Sequence, residues 1–299
     1  MIVINRTESR FTKFGFTVFL LLFTVSNKLF AFDSLLFKPL TANHLEARIG
    51  FFYQPNTEKL RLDIGHSLDM YEFISREDLD AKKIVRIRAG GDFFILSRLR
   101  SDGGMKFPVE TADYYFGLNC TGILKTKLFS SYIENPSFRL RAGHISSHLI
   151  DGYTFIENDK TVFIQEPFVY SREFVDLVFA GIFNFSKTTP VRFYFGGTYV
   201  FTSIPKDANR LIPQIGFDIY FPWDDLPVGI IGGWDYKFNV GDKSTSNSFT
   251  NSSQIGLLFN LSKNVGVSAN YYYSYGNSIH GMFYNQWERY KGFGIQINY

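Results

Sequence analysis

From Leu45 onward, apolar and polar residues exchange places along segment after segment with a period of two. That spacing sends successive side chains to opposite faces of a β-strand. Lys59 to Phe73 sets Leu60, Leu62, Ile64, Leu68 and Met70 against Arg61, Asp63, Ser67 and Asp69. Ile84 to Leu99 sets Val85, Ile87, Ala89, Phe93 and Ile95 against Arg86, Arg88, Asp92 and Arg98. The same rhythm recurs at 111–122, 137–149, 175–185, 191–201, 214–221, 228–238, 254–261, 265–274 and 290–299, with a weaker segment at 45–53. Together they predict about twelve strands. Residues 32–44 follow neither a strand nor a helix period and predict no element.

Strands of roughly ten residues suit a tilted crossing of a bilayer. The intervals between them support that geometry. Counted back from the C-terminus, the short connections 262–264, 222–227 and 186–190 alternate with the longer ones 276–288, 241–247, 203–210 and 150–167. Bacterial outer-membrane barrels have short turns on one side and longer loops on the other. The stretch 123–136 breaks the pattern, being long for a turn. A soluble β-sandwich also alternates, but its outward face is polar. Here one parity is apolar on nearly every segment, with Tyr, Trp and Phe near the ends. The expected fold is all-β: a transmembrane antiparallel β-barrel of about twelve strands, its lumen largely filled, formed by residues 32–299 as one domain.

Composition agrees. Aromatic residues make up 18% of the 299, with 34 Phe and 18 Tyr, yet the mean hydropathy is only −0.06. Lipid outside and water or polar groups inside require that mixture. A net charge of +3 gives no case for nucleic acid as a partner. The one cysteine, Cys120, rules out an intramolecular disulfide framework and lies on an apolar parity, where it reads as packing. Residues 1–31 read as a secretory signal peptide: Arg6, Arg10 and Lys13 precede the apolar run Phe14–Val25, and the segment closes at Ala31. Export with no later long apolar run implies a periplasmic, secreted or outer-membrane protein, and the barrel pattern selects the outer membrane.

The polar parity is rich in charge: Arg86, Arg88, Asp92, Arg98, Arg139, Arg141, Arg192, Asp218, Asp235 and Lys237. Both signs are present, which favours a lumen braced by salt bridges over an anion-selective pore. The stretch Gly143–Gly152 departs from this scheme. His144, Ser146 and His148 share the parity of Phe138, Leu140 and Ala142, so they face lipid if no bulge intervenes. A histidine beside a serine can act as general base to a nucleophile. A hydrogen-bonded polar cluster shaping an outer loop explains the same residues. No zinc-protease motif, phosphate loop or cysteine metal pattern occurs, and no metal or cofactor is expected.

Three resemblances add to this reading. The closing strand, with Phe293, Ile295, Ile297 and Tyr299 on one parity, resembles the C-terminal strand of outer-membrane barrels. That resemblance implies recognition by the barrel assembly machinery through Tyr299. His144-Ile145-Ser146 resembles the His-x-Ser of outer-membrane phospholipase A and of lipid A deacylases. It implies Ser146 as nucleophile, His144 as base, and an amide about twelve residues on, a place Asn158 fills, with Asp151 or Glu157 as alternative orienting groups. This chain departs from the phospholipase pattern at Ser147-His148, where that family has Asn-Gly. Calcium enters only through this resemblance. Finally, FILSRLRSDGGMKFP (94–108), RLRAGHISSHLIDGY (139–153), PFVYSREFVDL (167–177) and HGMFY (280–284) are similar to an uncharacterised family of Gram-negative envelope proteins. The expected function is that of an outer-membrane barrel, monomeric or homodimeric, in contact with outer-membrane lipids. It is structural or a narrow pore, with a lipid acyl hydrolase as the alternative.

Overall fold

The computed structural model describes residues 34–298 other than 79–82, 103–105, 129–132, 185–189, 207–209, 224–225, 241–247 and 263–264. The leader 1–31 and Tyr299 lie outside the described residues. Twelve strands form the wall: β1 Ile49–Gln54, β2 Lys59–Asp78, β3 Lys83–Arg100, β4 Val109–Lys125, β5 Ile133–Leu149, β6 Tyr170–Asn184, β7 Pro190–Ile204, β8 Leu211–Pro222, β9 Val228–Asn239, β10 Ser248–Asn260, β11 Gly266–Asn277 and β12 Trp287–Asn298. Each pairs antiparallel with the next, and β1 returns to β12, where Ile49 lies opposite Ile297. Closure leaves no edge strand, which satisfies the backbone where no water can reach it. No described helix is long and apolar enough to cross a membrane.

The parity read from the sequence sets the two faces. Phe195, Leu118 and Phe293 are each more than 60% exposed on the outside. Their polar neighbours Thr198, Asn119 and Gln296 are buried inside. Where β9 to β12 approach their long connections, Tyr236, Phe249, Trp287 and Tyr275 meet in a chain of ring contacts 5.2–5.4 Å apart, part of an aromatic girdle. We call the side of the long connections the loop end and the opposite side the turn end.

Two boundaries differ from expectation. The first strand starts at Ile49 rather than Leu45, because Leu45–Arg48 turn into the lumen. The long interval 123–136 is mostly strand: β4 runs to Lys125, β5 begins at Ile133, and Lys127–Leu128 pair with Ile133–Glu134. This connection is therefore shorter than the sequence suggests, 126–132 between the two long strands.

The interior is occupied from both ends. An inner segment, Ser34–Arg48, enters at the turn end, where Arg88 donates to the Ser34 carbonyl at 2.9 Å. It climbs past Asp218, which accepts from the Thr41 N–H at 2.9 Å. At its apex His44 lies among Arg61, Ser252 and Tyr272 near the loop end. It then descends to begin β1. The wall gives way to it at Gly233, where a Cβ would meet Thr41 Cβ at 2.9 Å and the Ala42 nitrogen at 3.2 Å. From the other side, the β11–β12 connection folds inward through a 3-10 turn, Gly281–Phe283, and buries His280, Met282 and Phe283. This inner loop packs on Phe94, Leu96, Tyr115, Ile145 and Phe174, all on the lumen parity. Phe94 and Tyr115 stack at 4.3 Å. The filled lumen expected from the sequence is present, but folded chain and an apolar core fill it together with ion pairs.

Candidate functional site

The lumen charges are held chiefly by the inner segment. Arg139 donates through both terminal nitrogens to Glu46, at 2.6 Å each. Arg141 donates to Asp176 at 3.1 Å and to the Leu45 carbonyl at 3.0 Å. Arg192 pairs with Asp218 at 2.5 Å and donates to the carbonyls of Lys38 and Pro39. Lys237 donates to Asn43 Oδ1 at 2.7 Å. Asp235 accepts from Tyr194 and Gln214. Elsewhere Arg88 pairs with Glu72, Asp92 accepts from Asn119, and Arg98 reaches Glu110 and Glu288. Arg86 is half-buried near the turn end of β3, opposite Ser75.

Glu46 belongs to the inner segment and is not on a membrane-crossing strand. Burial alone drives its carboxyl up, but Arg139 and then Arg141 outweigh that and hold it at about 2. His44, also on the segment, is kept neutral: burial, then the cations Arg61, Arg48 and Lys237, lower it well below the usual histidine range. With its Nδ1 facing the Arg61 donor, Nε2 carries the proton and donates to Ser252 Oγ at 2.6 Å. A second buried pair pins the inner loop. Asp113 accepts from His280 Nδ1 at 2.6 Å and from the Gly281 N–H at 2.8 Å.

On the outside, His144, Ser146 and His148 do share the parity of Leu140 and Ala142, while Ile145 and Ser147 point inward. His144 donates through Nδ1 to Glu173 Oε1 at 2.9 Å, and its ring stacks on Phe116 at 5.3 Å. In register, Glu173 lies opposite His144 and Ser171 opposite Ser146. Ser171 Oγ also donates to Glu173 Oε1, at 3.3 Å, and the second Glu173 oxygen is buried with no hydrogen-bond partner among the described residues. No hydrogen bond among the described residues joins His144 to Ser146; neighbours two apart on one strand face are roughly 6–7 Å apart at the backbone.

No hydrogen bond among the described residues joins Asn158 or Glu157, orienting groups implied by the resemblance, to His144. Asn158 sits in the tip of a small hairpin, Thr154–Glu157 with Lys160–Phe163, at φ 49°. Glu157 is at the same tip, and Asp151 belongs to the short turn before it. The carboxylate beside His144 comes instead from the neighbouring strand, through register rather than sequence distance. Glu173 had a legible signal: it shares the outward parity of Val175, Leu177 and Phe179. Among the described residues no group of three or more His, Cys, Asp or Glu converges as metal ligands would.

A closed wall with an apolar outer face, an aromatic girdle and a packed interior defines an outer-membrane β-barrel protein. A family model described as "Protein of unknown function (DUF1207)" matches residues 111–299, more than half of the chain, and the chain belongs to that family. The match begins at β4, so the inner segment and β1–β3 lie outside it. The comparison with curated proteins gives no match. Among solved structures, the chain is similar to outer membrane phospholipase A from Escherichia coli: 12% identity, 87% of this chain and 93% of that one covered, TM-score 0.44. It is similar to the beta domain of the Bordetella autotransporter BrkA at 14% identity, with 84% and 97% covered and a TM-score of 0.41. It is also similar to OmpT, an outer membrane protein of Vibrio cholerae, at 8% identity, with 87% and 99% covered and a TM-score of 0.31. The barrel assignment rests on the strand pairing above.

Proposed function

We propose that this protein is a sealed outer-membrane barrel that acts through its surfaces and does not conduct through its lumen. The observation that carries this is the inner segment, which traverses the lumen and is clamped by Arg139 and Arg141 at Glu46 and Leu45. The inner loop packs the lumen from the opposite side. Planar-bilayer recording of the purified full-length protein tests it. The expected trace is flat, and removal of residues 34–44 should produce steady openings. Large stable openings of the unaltered protein would sink the proposal.

A second reading is favoured by one observation: an outward-facing histidine with a carboxylate on Nδ1 and serines in the adjacent row. A lipid acyl hydrolase would use Ser146 Oγ to attack an ester carbonyl. His144 Nε2 would take the hydroxyl proton and pass it to the leaving alcohol. Glu173 would stabilise the imidazolium. Such a site belongs on the lipid-facing surface because its substrate is there. Fatty-acid release from phospholipid or lipid A in mixed micelles, with and without calcium, is the assay. Release lost in Ser146→Ala and in His144→Ala, and retained in Ser171→Ala, supports this reading. Release that survives both of the first two changes, or no release at all, leaves a polar cluster.

A further inference from the structure

Between the inner segment and the wall at the turn end lies a half-open cavity of about 740 Å3. That volume falls within the range of small-molecule sites, roughly 300–1,000 Å3. Its walls break the rule of the barrel. Ile182, Ile231 and Leu258 stand on the lumen parity, where charge and amide dominate elsewhere, and they face Phe37 and Leu40 of the inner segment. Phe37 and Leu40 are buried and cluster with Val178, Ala180 and Tyr194, and both also border the cavity. At the mouth is Lys38. Its neighbour Arg192 is committed to Asp218 and to two carbonyls, whereas no hydrogen bond or ion pair among the described residues engages the Lys38 ammonium.

We propose that this cavity binds an amphiphile with one apolar chain and an anionic head, the chain lying between the inner segment and Ile182, Ile231 and Leu258, and the head meeting Lys38. The chemistry follows from the two halves of the site. A mainly apolar pocket, bordered also by Asn135, Asn260 and Gln296, selects a chain; the Lys38 ammonium beside it selects a negative end over a neutral one. Lys38 keeps exposed surface, yet surrounding protein and then the adjacent Arg192 lower its ammonium below the ordinary lysine value. An anion placed there relieves that repulsion. A fatty acid and a lysophospholipid both fit this description, through a carboxylate and a phosphate respectively.

The test is equilibrium binding to the full-length protein exchanged from detergent into amphipol. The probes are oleate, oleoyl lysophosphatidylglycerol, oleyl alcohol and inorganic phosphate. Oleate or the lysophospholipid should bind saturably, and whichever binds more tightly identifies the head. Lys38→Gln should weaken that probe by about tenfold, close to one charge-assisted contact, and leave oleyl alcohol unchanged. Ile231→Trp, which fills the cavity, should weaken both by at least about tenfold. Leu258→Phe fills the same space should the first variant fail to run as a heat-modifiable species. Should neither filling variant fold, the Lys38→Gln comparison decides alone. Absence of saturable binding, equal affinity in Lys38→Gln and the parent, equal affinity in a folded filling variant, or full competition by inorganic phosphate would each overturn the proposal.

Discussion

The two elements that occupy the lumen are built differently. The inner segment, Ser34–Arg48, is tied to the wall mostly by charge and hydrogen bonds: Glu46 to Arg139, Asn43 to Lys237, His44 to Ser252, and its carbonyls to Arg88, Arg141 and Arg192. The inner loop around Gly281–Phe283 is held mainly by apolar burial. Met282 and Phe283 are at most 1% exposed and join a cluster of seven wall side chains and Ala47, with Asp113 and Ser147 satisfying three polar groups at the turn. The contrast matters because the two kinds of anchor fail differently. Truncating one side of a buried ion pair strands the other charge, whereas truncating an apolar side chain leaves a hole.

The largest expected effect is therefore at Glu46. Glu46→Ala leaves Arg139 without its bidentate acceptor and Arg141 with Asp176 as its remaining carboxylate. Stranding a buried charge costs about 3–5 kcal/mol. Unfolding in urea, followed by the loss of heat-modifiability, should shift by that amount. Steady conductance should appear in bilayers if the segment leaves the lumen. A change below about 1 kcal/mol would mean that Asp176 can absorb both guanidiniums, and the contrast between the two anchors would collapse.

Phe283→Ala comes next. Removing a fully buried Phe costs about 3 kcal/mol or a little more, and here it also removes the face over which the Arg98 guanidinium sits at 3.7 Å. The penalty should be nearly independent of salt. The Glu46 penalty too should respond weakly to salt, because a buried pair is poorly screened. Conductance is what separates them: a cavity at the loop end leaves the inner segment in place, so Phe283→Ala should remain closed. A conducting Phe283→Ala would show that the loop, not the segment, is the seal.

These two elements also mark where the sequence could be read and where it could not. The wall was legible because most strands repeat a two-residue period over eight or more positions, so single exceptions do not spoil it. Register was not legible, and with it went Glu173, which meets His144 across strands that are 29 residues apart in sequence. The inner segment was hidden for a different reason. Its buried residues, Phe37, Leu40, Ala42, Asn43, His44 and Glu46, follow no period, since an enclosing wall surrounds them on all sides. Phe94, Leu96, Tyr115 and Ile145 were misleading in the opposite sense. They occupy the parity of the lumen charges because the inner loop brings apolar side chains to meet them.

Asp113→Asn should have a smaller effect. The amide keeps one acceptor but loses the charge that strengthens the contacts from His280 Nδ1 and the Gly281 N–H. A loss of about 1–2 kcal/mol follows. Hydrogen exchange should rise across 280–284 and stay unchanged across 34–48. Equal deprotection of both would mean that the two elements unfold as one unit, and the division between them would have to be abandoned.

The last test, which separates the elements without mutation, is acidification. His44 and Glu46 both have folded values below their ordinary ones, His44 below 6.5 and Glu46 at about 2 against 4.5. For each, the unfolded chain binds the proton more readily, so each contributes stability that is complete above the ordinary value and is lost as pH falls. His44's share should begin to fade below pH 6.5, because a second cation would have to sit among Arg61, Arg48 and Lys237. Glu46's share follows between about 4.5 and 2. Exchange protection of residues 34–48, corrected for intrinsic rate, should therefore decline in two stages, and the first should disappear in His44→Gln. That variant keeps a donor for Ser252 but cannot take up a proton. Residues 281–284, held by apolar burial and by the Asp113 carboxylate, are followed alongside for comparison. A single-stage decline shared by both elements, or a first stage that survives His44→Gln, would show that His44 is not the group that senses the first proton.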